Sequence, residues 1–225
     1  MNRFFKEECE DALALLRGAR DTARAHRRAV WIGLVVMALL TVGAVLFFDA
    51  EAYRWSVESR NETASRVAGS WRKWGNFTDT LFWFGLLTLL GSFARRRAWR
   101  RAGLACLLAG AVAGLAVNVS RFSTGRPRPR TSLPDGFYGP TLEADLQSFP
   151  SGHATASFAH ATALAVALPA AGIPALVSAA GVAVSSYYCT SHYVSDILCG
   201  TLFGTLFGLS FGAAARRLMR RGPPT

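Results

Sequence analysis

Ala29–Phe48 reads AVWIGLVVMALLTVGAVLFF, a run without a single charge. A helix rises about 1.5 Å per residue and the hydrocarbon core of a bilayer is about 30 Å thick, so this run is long enough to cross one. It lies deep in the chain and lacks a small-residue cleavage site, which reads as a permanent span rather than a removed leader. Five further apolar blocks follow: Leu81–Ala94, Ala102–Ser120, His153–Ala170, Ile173–Thr190 and Val194–Ala215. The chain is 51% hydrophobic, and that share arrives in long blocks rather than in the alternating pattern of a soluble core. The expected fold is all-α: a polytopic membrane protein with six transmembrane helices over residues 29–215.

The charges orient these helices. The net charge is +11. Met1–Arg28, Arg95–Arg101 and Arg216–Thr225 together hold sixteen Lys and Arg against five acids, whereas the remaining segments hold nine against nine. The whole excess therefore falls on one side, as the positive-inside bias requires, and both termini are expected in the cytoplasm. Basicity explained by topology argues against nucleic acid as a partner, and no basic stretch is interleaved with an RNA-binding or helix-turn-helix pattern.

Outside the spans, residues 1–28 form a charged, helix-prone segment, either lying along the inner membrane surface or solvated. Residues 49–77 form an outer segment in which Val67, Trp71 and Trp74 share a helical face, as an interfacial anchor or the border of a lipid access path. Residues 216–225 are a basic cytoplasmic tail. The four cysteines show neither CxxC pairing nor metal-ligand spacing, and a Cys189–Cys199 bridge is left open. Asn61, Asn76 and Asn118 match the glycosylation pattern, which short stretches reach by chance.

In this topology three polar clusters reach the outer face together. RFSTGRPRPR, Arg121–Arg130, follows the third span; PSGH, Pro150–His153, opens the fourth; SSYYCTSHYVSD, Ser185–Asp196, joins the fifth to the sixth. Arg121, Arg126, Arg128 and Arg130 bring forked cationic donors that match phosphate oxygens, and prolines 127 and 129 stiffen their segment. Ser151 is placed to cap a helix whose free N–H groups attract anions, and Gly152 lets the backbone approach a ligand. His192 and Asp196, four apart, share a helical face, so the carboxylate can hold one ring nitrogen and leave the other free to attack. His153 is the candidate acid for a leaving oxygen. Asp196 is also an acid at the start of an apolar span, which marks function by default.

Each feature alone has a plainer reading. A basic run beside a span is usually an inside topology signal, a Ser-Gly pair at a helix start is commonly only a cap, and a His–Asp pair at this spacing is often structural. Their convergence at one face is what makes a site. His160 is expected to satisfy a neighbour inside the bundle and His26 to lie at the surface.

These residues resemble the type 2 phosphatidate phosphatases, or lipid phosphate phosphatases, relatives of glucose-6-phosphatase and the vanadium haloperoxidases. That family's signature is Lys-x6-Arg-Pro, then Pro-Ser-Gly-His, then Ser-Arg-x5-His-x3-Asp. Here it reads Arg121-x6-Arg128-Pro129, Pro150-Ser151-Gly152-His153 and Ser185-Ser186-x5-His192-x3-Asp196. The resemblance implies attack by His192 on phosphorus to give a phosphohistidine, with Asp196 orienting and charging the ring and His153 protonating the leaving group. It implies phosphoryl oxygens held by Arg121, Arg128 and the amides of Ser151 and Gly152, without a metal.

Two positions depart from the signature. The first-motif Lys is Arg121, and the third-motif Arg is Ser186, which removes a cation. The longer fork of Arg121, or Arg126, is expected to fill part of that gap. The expected activity is hydrolysis of a phosphate monoester or pyrophosphate on a lipid headgroup, with membrane lipids as surroundings and the site at the outer, periplasmic mouth in a bacterial inner membrane. Undecaprenyl pyrophosphate, phosphatidylglycerol phosphate, phosphatidate and lipid A phosphate are the candidate substrates. The alternatives are a lipid-phosphate binding or transport protein that has lost catalysis, and a lipid phosphoryl transferase.

Overall fold

The structure is a computed structural model and describes residues 3–74, 77–131 and 133–220. Asn76 and residues 221–225 of the basic tail lie outside the described residues, as does the side chain of Trp74. Among the described residues all regular structure is helical. In chain order the α-helices are α1 (Arg3–Ala25), α2 (Arg27–Phe47), α3 (Asp49–Glu58), α4 (Glu62–Trp74), α5 (Phe77–Phe93), α6 (Arg97–Thr124), α7 (Gly152–Ala167), α8 (Pro169–Tyr188) and α9 (Val194–Arg220).

Six of these correspond to the six apolar blocks. Four of them, α2, α6, α8 and α9, are long and apolar enough to cross a membrane on their own; α5 and α7 are shorter. Trp31, Ile32, Leu39, Leu46 and Phe47 on α2, Leu115 and Val119 on α6, and Ile173, Val177 and Val184 on α8 all point outward. So large an apolar exterior is stable against lipid and not against water. The chain is an integral membrane bundle.

One boundary differs from the expectation. The fourth and fifth blocks part at Leu168, not at Ala171–Gly172, which lie in the first turn of α8. Pro169 accounts for it. A proline disfavours helical geometry in the residue before it, and Leu168 has left that geometry, with φ −135° and ψ 82°. The proline itself is favourable in the first turn of the new helix.

The core is built of small side chains: Ala102, Ala105, Ala109 and Ala113 of α6, Ala159 and Ala163 of α7, and Ala214 and Ala215 of α9. Without a hydrophobic drive between helices in lipid, close backbone approach supplies the packing energy. Gly200, Gly204, Gly208 and Gly212 form a stripe on α9 that lies against the backbone of α7. A Cβ at Gly200 would come within 2.5 Å of the Ser151 carbonyl. This seam fixes the start of α7 beside the start of α9.

The N-terminal helix is neither loosely solvated nor merely laid on a surface. Leu15 and Ala19 of α1 are buried in the core, and Gly18 meets Ala214 of α9. Asp11 accepts from Arg100 Nη2 at 2.6 Å and from Arg101 Nε at 3.0 Å, and Arg101 also donates to the Leu218 carbonyl at 2.7 Å. Two arginines in the first turns of α6 thus serve as docking residues for α1. Breaking a buried pair by removing one partner costs about 3–5 kcal/mol because the other charge stays buried. Asp11→Ala is therefore expected to lower the melting temperature in detergent and to open α1 to proteolysis, which a limited trypsin digest measures.

Candidate active site

The site lies at the end of the bundle where α6 ends and α7 and α9 begin. Ser151 caps α7, its hydroxyl accepting from the Ala154 N–H at 3.4 Å. Its own N–H donates to the Asp196 carbonyl at 2.9 Å, which ties the two helix starts together. The open amides are therefore those of Gly152 and His153, one residue beyond the Ser151–Gly152 pair expected from the sequence. Among the described residues neither has a protein acceptor. Unpaired N–H groups at a helix start form an anion site.

Arg121, in the last turn of α6, crosses this helix start. Its Nε donates to the Pro150 carbonyl at 2.9 Å. Both terminal nitrogens lie over Gly152, where a Cβ would come within 2.8 Å of them. A side chain at position 152 would collide with the guanidinium. Arg128 is aimed by carbonyls of two loops: Nε donates to Ala144 at 3.0 Å, Nη2 to Gln147 at 3.3 Å and Nη1 to Ser191 at 3.0 Å. Its Nη1 also stands 3.4 Å from Nε2 of His192. Burial, and then the charges of Arg130 and Arg72, hold the Arg128 guanidinium below its ordinary pKa.

His192 is buried, and its Nδ1 lies 2.8 Å from the Ser148 carbonyl. A carbonyl only accepts, so the ring proton sits on Nδ1 and Nε2 keeps its lone pair. The sequence assigns this orienting role to Asp196, and the geometry corrects it. Asp196 Oδ2 is 3.7 Å from Nδ1, within reach of charge but beyond a hydrogen bond. That oxygen accepts from the Ser148 hydroxyl at 2.5 Å and the Tyr193 N–H at 2.9 Å. The carboxylate holds Ser148, and Ser148 holds the ring. Burial pushes the His192 pKa down to about 4 against the opposing pull of Asp196, so the ring is neutral and nucleophilic at neutral pH.

Arg126 does not supply the missing phosphate cation. It is fully buried, and it pairs with Asp196 at 2.7 Å, Asp135 at 2.8 Å and Asp49 at 2.9 Å. Burial works against its charge, but the three carboxylates outweigh it and raise its pKa. Its guanidinium also lies over the Tyr193 ring, 4.3 Å from the centroid. Ser186 is buried and its hydroxyl donates back to the Val182 carbonyl at 2.9 Å.

A cavity of about 400 Å³ begins at Arg121, Gly152 and His153 and runs between α6 and α7 along Gly110, Gly114 and Leu115. Its polar end is the anion site and its walls are apolar. His153 thus shares a cavity with the arginine and the open amides. His160, further down α7, gives Nδ1 to the Cys106 carbonyl at 2.8 Å and stacks on Phe84, the bundle role expected of it.

Over residues 102–220 the chain matches the family model of the PAP2 superfamily. It belongs to that superfamily. The matched stretch holds all three polar clusters of this PAP2 chain. The same helical fold is found in the crystal structure of the first transmembrane PAP2 type phosphatidylglycerolphosphate phosphatase from Bacillus subtilis. The TM-score is 0.59 at 21% identity, over 86% of this chain and 95% of that one. No curated protein matches the sequence.

Four participants in this PAP2 site escaped the sequence reading: Ser148, Asp49, Asp135 and Ser195. Asp49 accepts from the Ser195 N–H at 2.9 Å and from its hydroxyl, capping α9 from another helix. The signal for it was present, since Asp49 directly follows a charge-free span, the placement that singled out Asp196. Arg126→Met leaves Asp49 and Asp196 buried without their cation, and about 3–5 kcal/mol of stability is expected to go with it. Asp135, whose side chain is 38% exposed, should lose under about 1 kcal/mol as Asn. Thermal unfolding of the two variants in detergent distinguishes them.

Proposed function

We propose that this PAP2 protein is a membrane phosphatase that hydrolyses a phosphate monoester or pyrophosphate on a lipid headgroup through a phosphohistidine. The observation that carries the reading is the His192 ring, with Nδ1 committed to the Ser148 carbonyl and Nε2 unprotonated, 3.4 Å from the Nη1 of Arg128. A protein that only bound phosphate would have no use for a buried, neutral, aimed imidazole.

The phosphoryl group enters between Arg121, Arg128 and the amides of Gly152 and His153. Nε2 of His192 forms the N–P bond while the P–O bond to the leaving group breaks. His153 gives its proton to the departing oxygen, and the dianionic phosphate favours the charged imidazole that does so. The positive charge that develops on His192 is stabilised by Asp196 at 3.7 Å. Water then attacks phosphorus, His153 takes its proton, and Nε2 leaves with the electron pair of the N–P bond. Fixed donors that stabilise developing charge are usually the largest catalytic contribution.

The lipid class rests on the apolar cavity that continues from the anion site between α6 and α7. A second apolar cavity, of about 650 Å³, lies between α2, α6 and α9 and reaches Phe149 and Pro150 beside the same loop. Both favour a substrate with a long hydrocarbon part. The structural neighbour is a phosphatidylglycerolphosphate phosphatase, which makes that monoester the first to test, beside phosphatidate and undecaprenyl pyrophosphate. The site end of the bundle is the face opposite the basic ends, consistent with a periplasmic site and cytoplasmic termini.

The detergent-purified protein is expected to release phosphate from at least one of these lipids, and His192→Ala to abolish the release. Protonation of Nε2 blocks attack, so kcat/KM falls as pH falls, with the acid limb set near the His192 pKa of about 4 rather than the ordinary 6.5. A pH profile of the free enzyme measures it. Lipid bound without release would instead favour a binding protein.

A further inference from the structure

We infer that Arg72 of α4 supplies the phosphate-binding cation that Ser186 removes from the third motif, an assignment that rests on the phosphatase reading above. The outer helices place it. Trp71 lies against α8 at Gly181, where a Cβ would come within 2.6 Å of its ring. The rest of the segment is fastened to the end of α8: Tyr187 donates to the Ala52 carbonyl, Tyr188 to the Ser59 carbonyl at 3.0 Å, and Arg60 to the Thr190 hydroxyl at 3.0 Å. The ring of Trp55 stacks on that of Tyr187, tilted by 7°. These contacts hold α4 beside the end of α8.

From there Arg72 Nη1 donates to the Ser191 hydroxyl at 2.7 Å, one residue before the nucleophile. Ser191 in turn gives its N–H to the Ser186 carbonyl at 3.2 Å, and its own carbonyl accepts from Arg128. The guanidinium thus reaches the loop that a third-motif arginine would have served, from a helix more than a hundred residues away in sequence. Its charge acts on both Arg128 and His153. Three other cations at this end are engaged elsewhere. Arg126 has three carboxylates, Arg130 pairs with Asp145 at 2.7 Å, and Arg60 is held on Thr190. Among the described residues Arg72 has a hydroxyl partner and no carboxylate, so a phosphoryl group can take its free donors at small electrostatic cost. Arg121 and Arg128 with Arg72 restore a three-cation cradle.

The test compares full-length wild type, Arg72→Ala, Arg72→Ala/Ser186→Arg, Lys73→Ala and His192→Ala in detergent. Two quantities are read, kcat/KM for phosphate release from lipid phosphates and the dissociation constant of inorganic phosphate. Arg72→Ala should lose roughly a hundredfold in kcat/KM, the scale of one lost transition-state donor, and should bind inorganic phosphate more weakly than wild type. Lys73→Ala should match wild type, and Ser186→Arg should recover activity in the Arg72→Ala background. Arg72→Ala equal to wild type in both quantities, with His192→Ala inactive, overturns the Arg72 assignment and leaves the phosphatase reading standing. Wild type that neither hydrolyses any of the lipids nor binds phosphate overturns both. Binding decides for or against Arg72 even where no hydrolysis is detected.

Discussion

A single buried cation organises the site. Arg126 has no exposed surface and meets Asp49 from α3, Asp135 from the long loop and Asp196 from α9. An isolated charge in such a place would be untenable, and so would the buried carboxylate of Asp49 or Asp196 left alone. The three segments that bring the acids must therefore arrive together, with the arginine between them. Asp196 is thereby fixed with both oxygens occupied, Ser148 is fixed by Asp196, and the His192 ring is fixed by Ser148. Orientation of the His192 ring is passed along a chain of four residues rather than made in one contact.

The backbone seam between α7 and α9 provides the other half. The glycine stripe of α9 lets the two helices touch along their length, and their first turns are joined by the Ser151 amide and the Asp196 carbonyl. The start of α7 and the His192 loop are thus held together. Arg121 rests on this pair from α6, and α4 closes it from the side. Rigid donors of this kind need little reorganisation when charge develops on a phosphoryl group.

Much of this was legible in the sequence, and the exceptions have physical causes. The apolar blocks gave six bundle helices because run length is a strong signal in lipid. The boundary at Leu168 was missed because both flanks are apolar, although Pro169 marked it. Arg121, Arg128, Ser151, Gly152, His153, His192 and Asp196 lie at one end of the bundle, where the order of the spans had placed their three segments. The partition of labour among them could not be read: whether Asp196 or a carbonyl faces Nδ1 is a matter of about an ångström, and spacing in sequence is blind to that. Arg126 and Arg72 show the same limit from the other side. One arginine of the RPRPR segment is structural, and a cation of the proposed cradle lies in a segment whose aromatic pattern spoke only of the interface. Long-range pairings such as Arg72 with Ser191 leave no local trace in a single sequence.

The central claim is that Nε2 of His192 becomes covalently bonded to phosphorus during turnover. Rapid alkaline quenching of the enzyme with its best lipid substrate, followed by phosphorus NMR and peptide mass spectrometry, observes that bond directly. The account predicts an acid-labile phosphoryl group on His192 that accumulates within a turnover and is absent from His192→Ala. A phosphoryl group on His153, or rapid phosphate release with no covalent species at all, would contradict it.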